Sequence, residues 1–162
     1  MLTADLVEIG PVDPGDPRAR FALASYAGEL DRRFDTGFDA ARSLPADDRD
    51  LRPPRGLLLL ATLRGEPVGC GALKLHGDEP AEIKRMWVAE PARGMGLGRR
   101  ILAELEAAAA RAGAPVARLE TNASLVEAIA LYRTSGYVEV DAFNDEQYAQ
   151  HWFEKRLAPP TD

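Results

Sequence analysis

Apolar positions along the chain change period several times, and each change marks an element. Residues 3 to 9 alternate weakly, as a first strand would. Pro14-Gly15-Asp16-Pro17 is a turn whose last proline suits a helix start. From Arg18 to about Arg33, the apolar residues Phe21, Leu23, Ala24, Ala27 and Leu30 recur at roughly helical spacing. Residues 34 to 55 are aromatic, acidic and proline-bearing and read as a loop with room for a short helix. Leu57 to Leu63 is a continuous apolar run of strand length, Arg64-Gly65-Glu66-Pro67 a hairpin turn, and Val68 to Leu75 the returning strand. After His76-Gly77-Asp78-Glu79-Pro80 a third consecutive strand spans Ala81 to Ala89. A helix from about Gly96 to Ala112 ends at Gly113, a C-cap signal. Val116 to Thr121 is a strand, and Ser124 with Glu127 has the spacing of a capping box that starts a helix running to about Ser135. Gly136 ends it, Tyr137 to Val140 forms a strand, and His151 to Leu157 forms another. The order β, α, three-strand meander, α, β, α, β, β predicts an α/β fold with a mixed, mostly antiparallel sheet flanked by helices on both faces.

Composition narrows the picture. The chain has 162 residues, 46% of them hydrophobic and 28% charged, which is ordinary usage for one domain with one core, so residues 1 to 162 are expected to form a single domain. The longest strongly apolar run is far short of a membrane span, and the N-terminus shows no basic region followed by an apolar stretch. A cytoplasmic protein with no membrane partner is the natural expectation. A single cysteine, Cys70, excludes an internal disulfide framework. A net charge of -6 and a pI near 5.0 argue against nucleic acid as a partner. Two histidines without repeated ligand spacing predict no metal.

The candidate chemistry begins where the third strand of the meander gives way to the next helix, at Val88-Ala89-Glu90-Pro91-Ala92-Arg93-Gly94-Met95-Gly96-Leu97-Gly98-Arg99-Arg100. Glycines at alternate positions let the backbone turn tightly, so that several amide N–H groups converge on one anion beside a helix N-terminus. Three arginines flank that nest, and a phosphate or diphosphate is the obvious guest. A dinucleotide fingerprint fits poorly. The third glycine has the wrong spacing, Arg99 stands where it would be, and an antiparallel meander precedes the loop. A Walker loop fails for want of Gly-Lys-Ser/Thr.

Arg93-Gly94-Met95-Gly96-Leu97-Gly98 resembles the Arg/Gln-x-x-Gly-x-Gly/Ala acyl-CoA loop of the GNAT acyltransferase superfamily. Ala128-Ile129-Ala130-Leu131-Tyr132-Arg133-Thr134-Ser135-Gly136-Tyr137 is similar to its second signature, Ala-x-x-Leu-Tyr-x-x-x-Gly-Phe/Tyr. The order and separation of the two fit as well, and the pattern of elements matches from about residue 57 to the C-terminus. The resemblance implies an acetyl-CoA-dependent N-acetyltransferase acting by direct transfer in a ternary complex, with coenzyme A as co-substrate and a small-molecule or peptide amine as acceptor. A catalytically idle acyl-CoA-binding module is the alternative. A homodimer is left open.

It also implies a pose. Amides of Met95 to Arg99 would hold the diphosphate, with Arg93, Arg99 and Arg100 as countercharges, and the pantetheine arm would pair with the backbone of Met86-Trp87-Val88. Trp87 alternates to the other face, lining the acceptor side or capping the core. Tyr132 is the candidate general acid, since a phenol of ordinary pKa about 10 is well matched to protonate a departing thiolate. Glu82 resembles the general-base glutamate of histone-acetyltransferase-type members, with Glu120 in reserve; a strand-surface salt bridge with Lys84 or Arg85 would also account for Glu82. Many members carry an asparagine at the start of the tyrosine helix. Leu125 stands there in this chain, and Asn122 or Ser124 would take over its cofactor contact. The acceptor end points to two loops, Phe34-Asp35-Thr36-Gly37-Phe38-Asp39 and Phe143-Asn144-Asp145-Glu146-Gln147-Tyr148, whose aromatics and carboxylates suit a cationic or amphipathic amine.

Overall fold

The computed structural model describes residues 6–43 and 47–159. Among them, seven strands form one sheet: β1 (Val7–Pro11), β2 (Gly56–Leu63), β3 (Glu66–Lys74), β4 (Ala81–Val88), β5 (Val116–Thr121), β6 (Val138–Val140) and β7 (His151–Arg156). The helices are α1 (Pro17–Arg33), α2 (Leu97–Arg111) and α3 (Val126–Thr134). Strand order is β1-β2-β3-β4-β5-β7-β6, antiparallel except between β4 and β5. The expected mixed, mostly antiparallel sheet is therefore present. The first strand is seen from Val7, residues 3 to 5 lying outside the described residues. The last hairpin is interleaved, because β7 inserts between β5 and β6.

Local chemistry explains most boundaries. Pro17 opens α1, and the Asp16 carboxylate caps it by accepting from the Arg18 amide. Arg64 and Gly65, both at positive φ, form the two-residue turn between β2 and β3, so Glu66 and Pro67 already belong to β3. Two short 3-10 turns, Ala40–Arg42 and Asp48–Leu51, occupy the stretch expected to be loop.

The core has two faces because β2 and β3 alternate. Leu58 and Leu60 of β2, with Cys70 and Ala72 of β3, meet α1 through Ala19 and Ala22. Leu59, Ala61 and Leu73 meet Leu97, Ile101, Leu102 and Leu105 of α2. The inward face of α1 differs from the expected stripe. Ala19, Ala22 and Leu30 are buried and Leu23 and Tyr26 pack beside them, whereas Phe21 is 57% exposed and reaches only the edge of the Trp87 ring. Small alanines let α1 lie close to the sheet, and the true stripe follows the 3.6-residue period through 19, 22, 23, 26 and 30.

The capping box does not form. Val126 opens α3, and its N-cap, Leu125, makes no side-chain cap. The Ser124 hydroxyl instead donates to Asn122 Oδ1, and Glu127 pairs with Arg33 of α1. Asn122 holds the turn before the helix by accepting from the Ser124 amide, so the serine is drawn away from the helix end.

Two irregularities in β4 shape the rest of the molecule. Arg85 sits at φ +57°, and the β3–β4 register slips by one residue around it, a β-bulge. Before the bulge Ala81 and Ile83 face α2; beyond it Met86 and Val88 face α2, while Trp87 faces α1. The second irregularity is on the other edge. β4 pairs with β5 only at Ala81 and Glu82, after which no described strand lies along that edge.

Candidate active site

The separation of β4 from β5 opens a cavity of about 420 Å³, closed on one side by α1 and roofed by the segments following α1 and preceding β7. Lys84, Arg85 and Met86 of β4 line it, as do Glu120, Thr121 and Asn122 around the end of β5. Tyr132 enters from α3 and Tyr26 from α1. Along the same opening, β4 from Ile83 to Val88 has no strand neighbour among the described residues, the arrangement that an extended amide-bearing chain could complete as one more strand.

At the far end of β4 the glycine loop adopts the conformation its composition foretells. Gly94 and Gly96 lie at φ +83° and +76°, and Gly96 is the N-cap of α2. The first intrahelical bond runs from the Arg100 amide to the Gly96 carbonyl, so the amides of Leu97, Gly98 and Arg99 have no acceptor within the helix. A β-carbon at Gly94 or Gly96 would meet nothing within 4 Å, so the cradle is open. Unspent amides, the positive end of the helix dipole and open space fit a diphosphate.

The arginines are placed differently from a ring of countercharges. Arg93 donates to the Val88 carbonyl at 3.0 Å and pairs with Glu29 of α1. Arg99 reaches across to α3, donating to Thr134 Oγ1 at 2.8 Å and Ser135 Oγ at 3.1 Å. Arg100 donates to the Val7 carbonyl. All three tie elements together around the loop. Met95 packs against the α2-side core, as do Met86 and Val88, while Leu97 is fully buried in it and Trp87 caps the α1 side. For these residues the cavity and the loop draw on main chain.

Tyr132 is buried, its ring edge-on to Tyr137 and tilted against Phe153 at centroid separations of 5.9 and 6.1 Å. Burial, with the nearby Glu120 carboxylate adding to it, raises its pKa above the ordinary phenol value. The hydroxyl is therefore protonated throughout the neutral range. Tyr26 is shifted the same way, chiefly by burial and then by Tyr132.

Glu82 and Glu120 separate clearly. Glu82 contacts His76 at 3.3 Å and is not among the residues lining the cavity. Glu120 lines it, with a side chain only 9% exposed and Lys84 Nζ at 3.6 Å. Burial raises its pKa; Lys84 and the amide of Asn144, which lies near without a formed hydrogen bond, pull the other way. Asn122 spends its side chain on the scaffold, donating to the Tyr148 carbonyl and accepting from Ser124. Cys70 is buried under α1, donates to the Arg85 carbonyl, and burial pushes its thiol up to about 12, which makes it an inert core residue.

Two lining residues, Lys84 and Tyr26, are not among those that the sequence singles out for the site, Lys84 standing there only as a salt-bridge partner for Glu82. The signal for Tyr26 was its spacing from Ala22 and Leu23 on α1. Lys84 had none, since its partner comes from a neighbouring strand. The two loops assigned to the acceptor end do meet. Phe34, Phe38 and Tyr148 pack together at centroid separations of 5.0 to 6.0 Å, the Asp39 amide donates to the Tyr148 hydroxyl, and the Ser43 hydroxyl donates to Glu146.

A sheet that opens between two parallel strands, with a glycine cradle at the mouth, defines the class of acyl-CoA N-acyltransferase folds. The family model for the Acetyltransferase (GNAT) family matches residues 24–137, and the chain belongs to that family. It is 35% identical over 123 residues to an IAA acetyltransferase of Azospirillum brasilense, covering 75% of this chain and 80% of that protein. Among solved structures, a Klebsiella pneumoniae protein assigned as an acyl-CoA N-acyltransferase is 30% identical, covers 94% of this chain and 99% of that one, and superposes with a TM-score of 0.77. A GNAT family acetyltransferase of Elizabethkingia anophelis, solved with acetyl-CoA bound, shares the fold at 20% identity, with the same coverage and a TM-score of 0.65. Among the described residues no helix is long and apolar enough to cross a membrane.

Proposed function

We propose that this GNAT acetyltransferase uses acetyl-CoA as donor and a primary amine of a small molecule as acceptor, in one direct transfer within a ternary complex. The observation that carries the reading is a convergence. The edge of β4 that has no strand neighbour among the described residues leads to the glycine cradle, and the same opening is lined by a buried phenol and a buried carboxylate. Amides of Leu97, Gly98 and Arg99 would hold the diphosphate and β4 main chain the pantetheine arm. Bound there, acetyl-CoA supplies the acetyl group as a thioester.

The residues of the chain then divide the proton work. An amine reaches the site largely as ammonium, and the Glu120 carboxylate, made more basic by burial, accepts its proton so that the nitrogen lone pair is free to attack. As the C–N bond forms and the C–S bond breaks, the Tyr132 hydroxyl gives its proton to the departing sulfur, and the proton shed by the acylated nitrogen restores the phenol, leaving the one taken by Glu120 to be released. The net yield is an amide, a free thiol and one proton. Cys70, buried with a raised pKa, has no part as an acyl carrier.

The test is thiol release with acetyl-CoA across a panel of amines, with the acetylated product verified by mass. Tyr132→Phe is expected to lower kcat by about 10²-fold or more, since a positioned acid contributes typically 10²–10⁴, while acetyl-CoA affinity stays within a factor of about two because the phenol binds no part of the donor's ground state. Tight acetyl-CoA binding with no thiol release over the whole panel would establish the binding-module reading instead.

A further inference from the structure

The cavity has two chemically distinct ends, and their difference specifies the acceptor. One end is ionic: Lys84 Nζ and the Glu120 carboxylate sit 3.6 Å apart, with side chains 13% and 9% exposed, and Arg85 lines the same cavity. The other carboxylates on the lining are held by the chain itself. Glu146 accepts from the Ser43 hydroxyl at 2.8 Å and from the Tyr148 amide, and Asp47 caps the 3-10 turn at Asp48–Leu51 by accepting from the Arg49 and Asp50 amides. The second end is an apolar wall built by Leu23 and Leu30 of α1 with the ring cluster of Phe34, Phe38 and Tyr148.

Resting on the acetyltransferase reading above, we propose that the acceptor is a free α-amino acid with a bulky apolar side chain. Its amino group lies at Glu120, its carboxylate at Lys84 and Arg85, and its side chain against the aromatic wall. A buried pair of opposite charges suits a ligand head that carries both charges, because each protein charge then keeps a partner when water is expelled. A simple monoamine brings a charge of one sign to a pair of opposite charges, and a diamine would set a second ammonium against an apolar wall. A polypeptide acceptor would have to pass the roof, where Asp39 to Tyr148 and Ser43 to Glu146 bridge the two segments. A volume of about 420 Å³ accepts a compact side chain and falls within the ordinary range for small-molecule sites. The products are the N-acetyl amino acid and coenzyme A.

The experiment compares L-phenylalanine, L-phenylalanine amide, 2-phenylethylamine, L-alanine and L-lysine, by thiol release and by calorimetric binding to the enzyme saturated with coenzyme A. Phenylalanine is expected to exceed each of the others in kcat/KM by at least about tenfold, because a site built for a polar group rejects analogues that lack it. Phe38→Ala should narrow the phenylalanine-to-alanine ratio by about tenfold, a truncation of one large apolar contact. Phenylethylamine or the amide matching phenylalanine overturns the carboxylate contact, and alanine or lysine matching it overturns the wall. Selective phenylalanine binding without thiol release would uphold the ligand class and refute acetyl transfer. Thiol release with other amines but not with phenylalanine would do the reverse, and neither binding nor release with any of the five would refute both.

Discussion

Two glycines of α2 offer a matched pair of perturbations. Gly96 caps the N-terminal end at φ +76° and Gly113 follows the C-terminal end at φ +96°; at neither would a β-carbon meet anything within 4 Å. Replacing either by alanine therefore adds backbone strain and no clash. An L-residue held in the left-handed region costs roughly 1–2 kcal/mol. For a chain of this length each kcal/mol lowers Tm by about 2–4 °C, so both variants should melt about 2–8 °C below the parent. Only one should lose cofactor. Relaxing φ at Gly96 turns away the amides of Leu97 and Gly98, and each hydrogen bond to a charged group is worth about 1.5–3 kcal/mol. Coenzyme A affinity should fall about 10- to 100-fold if one such bond is lost. Gly113, about 25 Å away beyond the far end of the helix, should leave that affinity within a factor of about two, since nothing there meets the ligand. Calorimetric titration with coenzyme A and with pantetheine, which lacks the diphosphate, measures the difference, and pantetheine should bind all three proteins alike. If Gly96→Ala melts earlier yet binds coenzyme A as the parent does, or if Gly113→Ala weakens it equally, the cradle does not hold the diphosphate.

Two further outcomes follow from the same geometry. Because burial raises the Glu120 pKa and the proposed reaction needs its carboxylate, kcat/KM should fall as pH drops through a value above that of an ordinary glutamate. Glu120→Gln should abolish that limb and cost about 10²–10⁴-fold in rate, whereas an undisturbed limb in the variant moves the base role to Glu82 or to water. Gly71→Ala places a β-carbon 2.7 Å from Ile101 Cγ2, 2.8 Å from Leu105 Cδ1 and 2.9 Å from Met86 Sδ. Overpacking of this kind costs about 1–3 kcal/mol, so Tm should fall by about 2–12 °C; an unchanged melt would mean that Gly71 does not set how closely α2 approaches the sheet.

What could be read from the chain divides along the range of the interaction. The meander and α2 were legible because alternation, turn residues and helical spacing are local: Arg64-Gly65 adopts the turn that its two positive φ values allow, and the buried positions of α2 recur at 97, 101, 102, 105 and 109. The cradle was legible for a related reason, since glycine alone supplies its conformation without strain. The capping box failed because Asn122, two residues before Ser124, competes for the same hydroxyl, and the insertion of β7 between β5 and β6 is a pairing that no local pattern encodes.

The placement of the carboxylates carries this division into the chemistry. Glu82 and Glu120 look alike along the chain, each an acid on a strand near a basic residue. What separates them is that β4 and β5 part just beyond Glu82, so Glu82 remains where the two strands are still paired, while Glu120 lies beyond the last β5 residue paired with β4 and lines the opening. Lys84 faces the opening by ordinary alternation with Ile83, and the bulge that follows at Arg85 shifts the register so that Arg85 also lines the cavity. A positive φ at a residue other than glycine carries no sequence signal, and neither does the meeting of Lys84 with a carboxylate from another strand. The proposed binding end of the site thus rests on main chain that composition announces, and the proposed reacting end on a side-chain encounter that only the strand geometry creates.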